Sequence, residues 1–226
     1  MGIRVGKLLN DWTLFEKVWL VTFVGVIVAT GVIFDDTWIG FVASISGVLC
    51  VVLVAKGKIS NYYFGVVNLA TYAYIAFQSQ LYGEVMLNTL IYLPMQFIGF
   101  YMWKQNMDSG SVKAKRLSRR GWIDLGVLVI VTGILYGIFL NAIGSSQAKV
   151  DAFAVVLSIT ANFLMLKRYA EQWILWIIVN VLTITLWLNV FITDGNSVTI
   201  LVMWIAFLVN SVYGYIKWIK RAEEVL

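Results

Sequence analysis

The sequence contains eight long stretches without a single Asp, Glu, Lys or Arg, and the charged residues lie between them. The stretches cover residues 18–34, 38–55, 62–77, 85–103, 125–143, 152–166, 173–192 and 198–216. An α-helix rises about 1.5 Å per residue, so most of these stretches can cross a hydrocarbon layer of about 30 Å. Because backbone amides in lipid must pair within their own segment, we predict an all-α integral membrane protein with eight transmembrane helices.

The residue types that are missing exclude several classes of function. The chain has no His and one cysteine, Cys50, so it cannot form a His-based catalytic triad, a Cys/His zinc site or an intramolecular disulfide. We therefore expect no metal, no cofactor and no enzymatic activity. The middle of each predicted helix is uncharged and no Gly-rich phosphate loop is present, which disfavours an ion-coupled or ATP-driven pump. Passive transport of a small organic solute remains.

The basic residues predict the orientation in the membrane. If the N-terminus is cytoplasmic, 16 of the 17 Lys and Arg residues fall on the cytoplasmic side, and only Lys149 falls outside. The outer turns instead carry Asp35, Asp36, Glu84, Asp151 and Asp194. This asymmetry places both termini in the cytoplasm. It also accounts for the net charge of +5 without a nucleic-acid partner. The basic stretch 113–120 fits a loop that sets topology better than a contact with anionic lipid.

Two parts of the chain resemble each other. A shift of 112 residues, which becomes 115 after the outer turn, brings similar residues together, and the pairs are Ser46 with Ser158, Lys56 with Arg168, Phe64 with Trp176, Asn68 with Asn180, Thr71 with Thr183, Gly99 with Gly214, and Trp103 with Trp218. The whole chain, 1–226, is then one membrane domain with a 1+3+1+3 arrangement. It has an uncleaved extra helix 18–34, repeat one 38–103, a linker helix 125–143 and repeat two 152–218. Two parallel triple-helix repeats resemble the SWEET class of transporters.

Amide and aromatic side chains form stripes along four of the predicted helices. They include Trp176, Asn180, Thr183 and Trp187 in one helix, Asn68 and Thr71 in another, Asn88, Tyr92, Gln96 and Trp103 in a third, and Trp204, Phe207, Asn210, Ser211 and Tyr213 in the last. Buried amides are costly in lipid unless they face a partner or a polar cavity. The stripes therefore indicate a solute site, and the alternative is helix packing. We expect the tryptophans at the ends of spans to anchor the membrane interfaces, namely Trp12, Trp19, Trp38, Trp103, Trp122 and Trp218. Pro94 predicts a kink, either a gating hinge or a static bend.

Three segments resemble the PnuC family of bacterial vitamin transporters, whose best-known members take up nicotinamide riboside. They are NYYFGVVN (61–68), LNTLIYLPMQFIGFYMW (87–103) and WILWIIVN (173–180). Trp176 and Asn180 match a Trp-x-x-x-Asn motif of the family, whereas the first repeat has Phe64 in place of the Trp. The resemblance implies facilitated diffusion by alternating access, trapping by phosphorylation in the cytoplasm, a homotrimer, and a location in the bacterial cytoplasmic (inner) membrane.

The chemistry of nicotinamide riboside suits the stripe residues. Aromatic faces favour its flat pyridinium cation, and amides can bond its carboxamide and ribose hydroxyls. We assign Trp173 and Trp176 to ring contact or gating, and Asn68, Gln96 and Asn180 to polar recognition. Second choices are Asn88, Tyr92, Asn210 and Tyr213. Two alternatives are open: a related carrier of thiamine or riboflavin, and a membrane protein that transports nothing.

Overall fold

The computed structural model describes residues 12–79, 82–108, 110–142, 148–195 and 197–223, which contain eight helices and one small hairpin. The helices are α1 (Leu14–Ile33), α2 (Trp38–Ala55), α3 (Asn61–Gln78), α4 (Tyr82–Met86, Leu87–Tyr92 and Leu93–Lys104 in direct succession), α5 (Arg119–Ala142), α6 (Ala148–Leu166), α7 (Gln172–Asp194) and α8 (Val198–Glu223). Strands β1 (Met107–Asp108) and β2 (Ser111–Val112) pair antiparallel. Each predicted stretch coincides with one of these helices, and the largest differences are at the start of α5, six residues earlier than predicted, and the end of α8, seven residues later.

Six of the described helices are long and apolar enough to cross a membrane, which makes this a multi-pass membrane protein. These spans are Leu14–Ile33, Trp38–Ala55, Glu84–Lys104, Arg119–Phe139, Gln172–Thr193 and Val198–Glu223. The apolar part of α6, Ala152–Leu166, is shorter. Helix α3 is less apolar because it carries the polar side chains that line the cavity described below. The side chains of Lys149, Asp151 and Asp194 lie outside the described part of the chain, and so does the N-terminal segment with Arg4 and Lys7.

Helix α4 contains a π-helical turn, Leu87–Tyr92, directly before Pro94. Proline has no backbone N–H, so the carbonyl four residues earlier loses its α-helical bond. The backbone N–H of Leu93 bonds instead to the carbonyl of Asn88, five residues earlier, which is the π-helical pattern. The expected irregularity at Pro94 is thus a widened turn on its N-terminal side. Whether this turn acts as a hinge stays a prediction.

Trp103 at the end of α4 and Trp218 near the end of α8 are fully buried. The Trp103 Nε1 donates to the carbonyl of Met165 at 3.1 Å, and the Trp218 Nε1 donates to the carbonyl of Val54 at 3.0 Å. Their ring centroids are 5.7 Å apart. Each of these carbonyls also accepts the N–H of the turn residue that follows, Arg168 or Gly57, so the indole is a second donor at the end of α6 or α2. The expectation that these two tryptophans anchor the membrane interface was wrong, and so was the same expectation for Trp19, which is also buried. Trp38, in contrast, is 73% exposed, as such an anchor should be.

The segment between α4 and α5 binds two turns of the bundle. The Val112 N–H donates to the carbonyl of Gly57 at 2.9 Å, and the Lys115 N–H donates to the carbonyl of Arg168 at 2.8 Å. Arg116 forms an ion pair of 2.9 Å with the buried carboxylate of Glu171, and this hydrogen bond raises the pKa of the guanidinium. The longest polar connection of the sequence is therefore folded against the turns α2–α3 and α6–α7.

Helix α1 is attached to α2 and α8 through the carboxylate of Glu16. Glu16 is 4% exposed and forms an ion pair of 2.8 Å with Lys56, which directly follows α2. Its other oxygen accepts a bond of 2.8 Å from the Tyr213 hydroxyl of α8. A capping box with Thr13 holds Glu16 at the start of α1. One carboxylate thus joins three helices.

We expect Glu16→Ala to lower the free energy of unfolding by about 3 kcal/mol, because the substitution removes the carboxylate from a buried ammonium. The measurement is thermal unfolding in detergent. The double variant Glu16→Ala/Lys56→Met should be more stable than Glu16→Ala, because it also removes the buried positive charge. A double variant that is less stable than the single one would contradict a role for this charge pair.

Candidate functional site

A cavity of about 110 Å³ lies inside the helix bundle. Side chains from α2, α3, α4, α6, α7 and α8 line it, and no described residue of α1 or α5 takes part. The wall is mostly apolar, but it contains amides from four different helices: Asn61 and Asn68, Asn88 and Gln96, Asn162, and Asn180. None of the described lining residues carries a charge. This is the composition expected of a site for an uncharged or cationic organic solute.

The cavity contains seven of the nine residues that the sequence predicted for the site. These are Asn68, Asn88, Tyr92, Gln96, Trp173, Trp176 and Asn180. They come from α3, α4 and α7, the helices with the most regular stripes. In an α-helix, residues three or four apart share a face, so the side chains of a regular stripe all point to the same side of the helix.

Asn210 and Tyr213 do not reach this cavity. The Asn210 Nδ2 donates to the carbonyl of Val51 at 2.9 Å, and the Tyr213 hydroxyl donates to Glu16. Both residues line a separate space of about 10 Å³ beside α1. The face of α8 that lines the main cavity carries Phe207 and Ser211. Asn210 lies about 100° around the helix from Ser211, so it points toward α1 and α2 instead.

Asn68 and Asn180 are each held by a hydrogen bond from their amide nitrogen. The Asn68 Nδ2 donates to the carbonyl of Ala43 at 2.9 Å, and the Asn180 Nδ2 donates to the Ser211 Oγ at 2.8 Å. Ser211 in turn donates to the carbonyl of Phe207 at 2.8 Å. No hydrogen bond among the described residues uses the side-chain oxygen of either asparagine. Each amide is therefore oriented by the protein and keeps an acceptor for a solute.

Five lining residues have a buried polar atom with no hydrogen-bond partner among the described residues. The atoms are the acceptors Asn61 Oδ1, Gln96 Oε1 and Asn162 Oδ1, and the donors Trp173 Nε1 and Trp204 Nε1. A buried polar atom without a partner costs about 1–3 kcal/mol, so such atoms are rare in folded proteins. Five of them around one cavity indicate that a polar solute completes their bonding.

The sequence interpretation missed Asn61 and Asn162 as site residues. Asn61 precedes the predicted start of its helix by one residue and therefore lies outside the predicted stripe. Asn162 is the one amide in the apolar stretch 152–166, and that isolation was a usable signal. Trp204 and Ser211 belong to the α8 stripe but were not selected, because that stripe is less regular than the others.

Aromatic side chains lie along the cavity and toward both ends of the bundle. Near one end, Trp173 packs against Trp218 with ring centroids 6.2 Å apart. Near the other end, Tyr72 contacts Trp204 at 6.0 Å and accepts a hydrogen bond of 2.8 Å from the Trp187 Nε1. Between these layers, the Tyr92 and Trp176 rings lie 6.2 Å apart at an angle of 63°. Aromatic faces in a wall without competing cations attract a flat cationic ring.

Gly65 allows α4 to approach α3 closely at the cavity. A Cβ atom at Gly65 would lie 2.5 Å from Gln96 Oε1 and 3.3 Å from Cys50 Sγ. The first distance is shorter than atoms can approach, so any larger residue would displace the Gln96 side chain. The position of the Gln96 carbonyl oxygen in the wall thus depends on a glycine.

Comparison with known proteins shows the following similarities. A protein-family model described as nicotinamide mononucleotide transporter matches residues 37–220. The nicotinamide riboside transporter PnuC of Neisseria mucosa is 45% identical over 225 residues, covering 96% of this chain and 86% of the relative. The PnuC of Haemophilus influenzae is 42% identical over 96% of this chain and 95% of its own length. A crystal structure of the vitamin B3 transporter PnuC superposes with a TM-score of 0.87 at 44% identity, covering 96% of both chains.

We expect Gly99→Ala to destabilise the protein by about 1–3 kcal/mol, because a Cβ atom there would lie 2.6 Å from the ring of Tyr62, which is buried and packed against Trp103. The matched control is Gly25→Ala in α1, where a Cβ atom would meet nothing within 4 Å. The control should be as stable as the wild type or slightly more stable, since alanine favours a helix. Melting temperatures in detergent that fall equally in both variants would contradict the close approach at Gly99.

Proposed function

This chain belongs to the PnuC family, which the nicotinamide mononucleotide transporter model represents, and we propose that it carries nicotinamide riboside across the bacterial cytoplasmic membrane. The observation that carries the proposal is the uncharged cavity with its aromatic faces and unpartnered amide oxygens. The pyridinium suits the aromatic faces, and the carboxamide and ribose hydroxyls suit the amides.

The same cavity favours the riboside over the mononucleotide. The mononucleotide differs by a phosphate with close to two negative charges, and burying such a group requires cations or several donors. No Lys or Arg lies among the described residues that line the cavity, whereas three of the unpartnered atoms are acceptors. A phosphate would therefore lose its hydration without gaining a partner of opposite charge.

We assign roles to the lining residues by their chemistry and position. Trp176 and Tyr92 contact the pyridinium ring, and Gln96 accepts a hydrogen bond from the carboxamide. Asn68 and Asn180 bond the ribose hydroxyls with the oxygens that the protein leaves unused. Trp173 is 3% exposed and packs against Trp218, so it fits a gating role better than a stacking role.

Transport in this proposal is facilitated diffusion by alternating access. The aromatic layers at the two ends of the cavity open in turn. The wall carries no charged side chain to which a coupling ion could bind, so transport is not coupled to an ion. Phosphorylation in the cytoplasm then traps the solute. The added phosphate prevents return for the same reason that the cavity disfavours the mononucleotide.

We also propose the 1+3+1+3 architecture with parallel repeats, and the helix contacts support it. Helix α8 packs against α2, and α4 packs against α6, as a two-fold relation between α2–α4 and α6–α8 requires. The two indole caps correspond to each other under this relation. Two close contacts correspond as well: a Cβ atom at Gly99 would lie 2.6 Å from the Tyr62 ring, and a Cβ atom at Gly214 would lie 2.6 Å from the Trp173 ring.

The turns that follow α2 and α6 support the duplication and refine its register. Gly57 and Arg168 both have positive φ, 67° and 68°, and their N–H groups bond three residues back at 2.9 and 3.0 Å. Gly57 is thus the structural counterpart of Arg168, whereas the sequence comparison pairs Lys56 with Arg168. The shift that relates the two turns is therefore one residue less than 112. The two turns share their backbone conformation and hydrogen bond but not their residue types, so the sequence alone does not reveal this register.

Both termini are cytoplasmic in this proposal. The described basic residues at the ends of α2, α4, α6 and α8 lie at one end of the bundle, where Arg221 bonds the carbonyl of Lys56 at 2.9 Å. At the other end, the Asp36 carboxylate accepts bonds of 3.0 and 2.8 Å from the Thr199 N–H and hydroxyl. This separation of charge agrees with the positive-inside rule. The homotrimer implied by the resemblance stays a prediction.

For the substrate and site, we expect purified protein to bind nicotinamide riboside saturably, as followed by Trp fluorescence and calorimetry. The mononucleotide, thiamine and riboflavin should bind at least tenfold more weakly. Trp176→Ala and Asn180→Ala should abolish saturable binding. The matched controls Trp122→Ala and Asn189→Ala change exposed residues and should bind like the wild type.

Each other outcome of this panel points to a different conclusion. Affinity retained by Trp176→Ala and Asn180→Ala would place the site elsewhere. Preference for thiamine or riboflavin would identify a related vitamin carrier. A protein that binds none of the four compounds would favour a membrane protein without transport activity.

For the mechanism, we expect proteoliposomes to equilibrate nicotinamide riboside to equal concentrations inside and outside without a pH or Na⁺ gradient. An imposed gradient of either ion should leave the final internal concentration unchanged. Radiolabelled uptake measures this directly. Accumulation above the external concentration in the absence of a kinase and of a membrane potential would contradict facilitated diffusion.

A further inference from the structure

Glu84 lies in the first turn of α4, directly behind two residues of the cavity wall. Its Oε2 accepts a hydrogen bond of 3.1 Å from the Tyr72 hydroxyl. The Asn88 Nδ2 donates to the Glu84 carbonyl at 2.7 Å and lies 3.4 Å from the same Oε2. Tyr72 and Asn88 both line the cavity. The carboxylate is therefore one side chain away from the space that a solute occupies.

The surrounding residues hold this carboxylate in place. Tyr72 is 2% exposed, and its single hydroxyl proton is donated to Glu84 while its oxygen accepts the bond from Trp187. Asn88 is the second residue of the π-helical turn, and its amide is fixed by the Glu84 backbone. No ion pair between Glu84 and a Lys or Arg is found in the described part of the chain. The carboxyl group is thus oriented by neutral donors.

We propose that Glu84 determines the charge selectivity of the site by favouring a cationic solute in the cavity. The cavity wall itself is uncharged, and this carboxylate contacts two of the wall residues, Tyr72 and Asn88, through hydrogen bonds. Opposite charges separated by one side chain, at the effective dielectric constant of a protein interior, attract enough to change affinity about tenfold or more. Tyr72 and Asn88 are positioning residues, since they orient the carboxylate. The sequence interpretation had placed Glu84 in an external turn and had given the site no carboxylate.

The inference rests on the proposed function for the identity of the cation, and a pair of ligands tests it. Nicotinamide riboside carries a positive ring, whereas its 1,4-dihydro form has nearly the same shape, carboxamide and ribose but no charge. We expect the wild type to bind the cation about tenfold more tightly than the dihydro form. Glu84→Gln keeps the size and the acceptor oxygen, and it should remove most of this preference while binding the dihydro form like the wild type.

Two further variants separate charge from structure. Glu84→Asp keeps the charge and should keep most of the preference. Tyr72→Phe removes the hydroxyl but leaves the carboxylate, so it should reduce the preference less than Glu84→Gln does. Equal losses for both ligands in Glu84→Gln would indicate a structural role and overturn the proposal.

The experiment remains decisive if Glu84→Gln does not fold. A wild type that binds both forms of the riboside equally well shows no charge selectivity, and this result alone overturns the inference. A wild type that binds neither form overturns the proposed function instead. Normal riboside binding with an unchanged preference in Glu84→Gln overturns only the role of Glu84.

Discussion

The two indole–carbonyl bonds of Trp103 and Trp218 are the interaction on which the rest of this structure depends. Each indole caps a helix from the other part of the chain, so α4 is attached to α6 and α8 to α2. The same two carbonyls also accept the turn N–H groups of Arg168 and Gly57, so each indole is a second donor that joins a neighbouring helix to a helix end already closed by its own turn. The segment between α4 and α5 bonds the turns that follow the same two helix ends.

The cavity wall brings together five buried polar atoms that have no partner among the described residues. Other such atoms, including Trp19 Nε1, Ser44 Oγ and the Gln172 amide, lie outside the wall. Many buried serines and threonines bond carbonyls one turn back in their own helices, as Thr160 and Thr183 do. In the proposed function, a solute with hydroxyls, an amide and a flat ring would supply the missing bonds at the wall, and the uncharged wall would let it leave without breaking an ion pair.

The predictions from sequence succeeded where a regular pattern had one physical cause. Uncharged stretches correspond to helices because lipid excludes charge, and the stripes on α3, α4 and α7 face the cavity because helical periodicity gives one direction. The predictions failed where a residue type is compatible with two different environments. A tryptophan at the end of a span can anchor in the interface, like Trp38, or cap a neighbouring helix, like Trp103. A polar residue in α8 can face the cavity, like Ser211, or face α1, like Asn210.

The sequence by itself determined the membrane class and the number and approximate limits of the helices, which follow from local composition and periodicity along the chain. Its motifs indicated the family. Only the tertiary structure decided which amides share one cavity, that Asn61 and Asn162 belong to it, and that Glu16 joins α1 to α2 and α8. It alone placed Glu84 behind the cavity wall. The physical reason is that contacts between helices depend on their rotation and register, and a shift of one residue turns a side chain by about 100°.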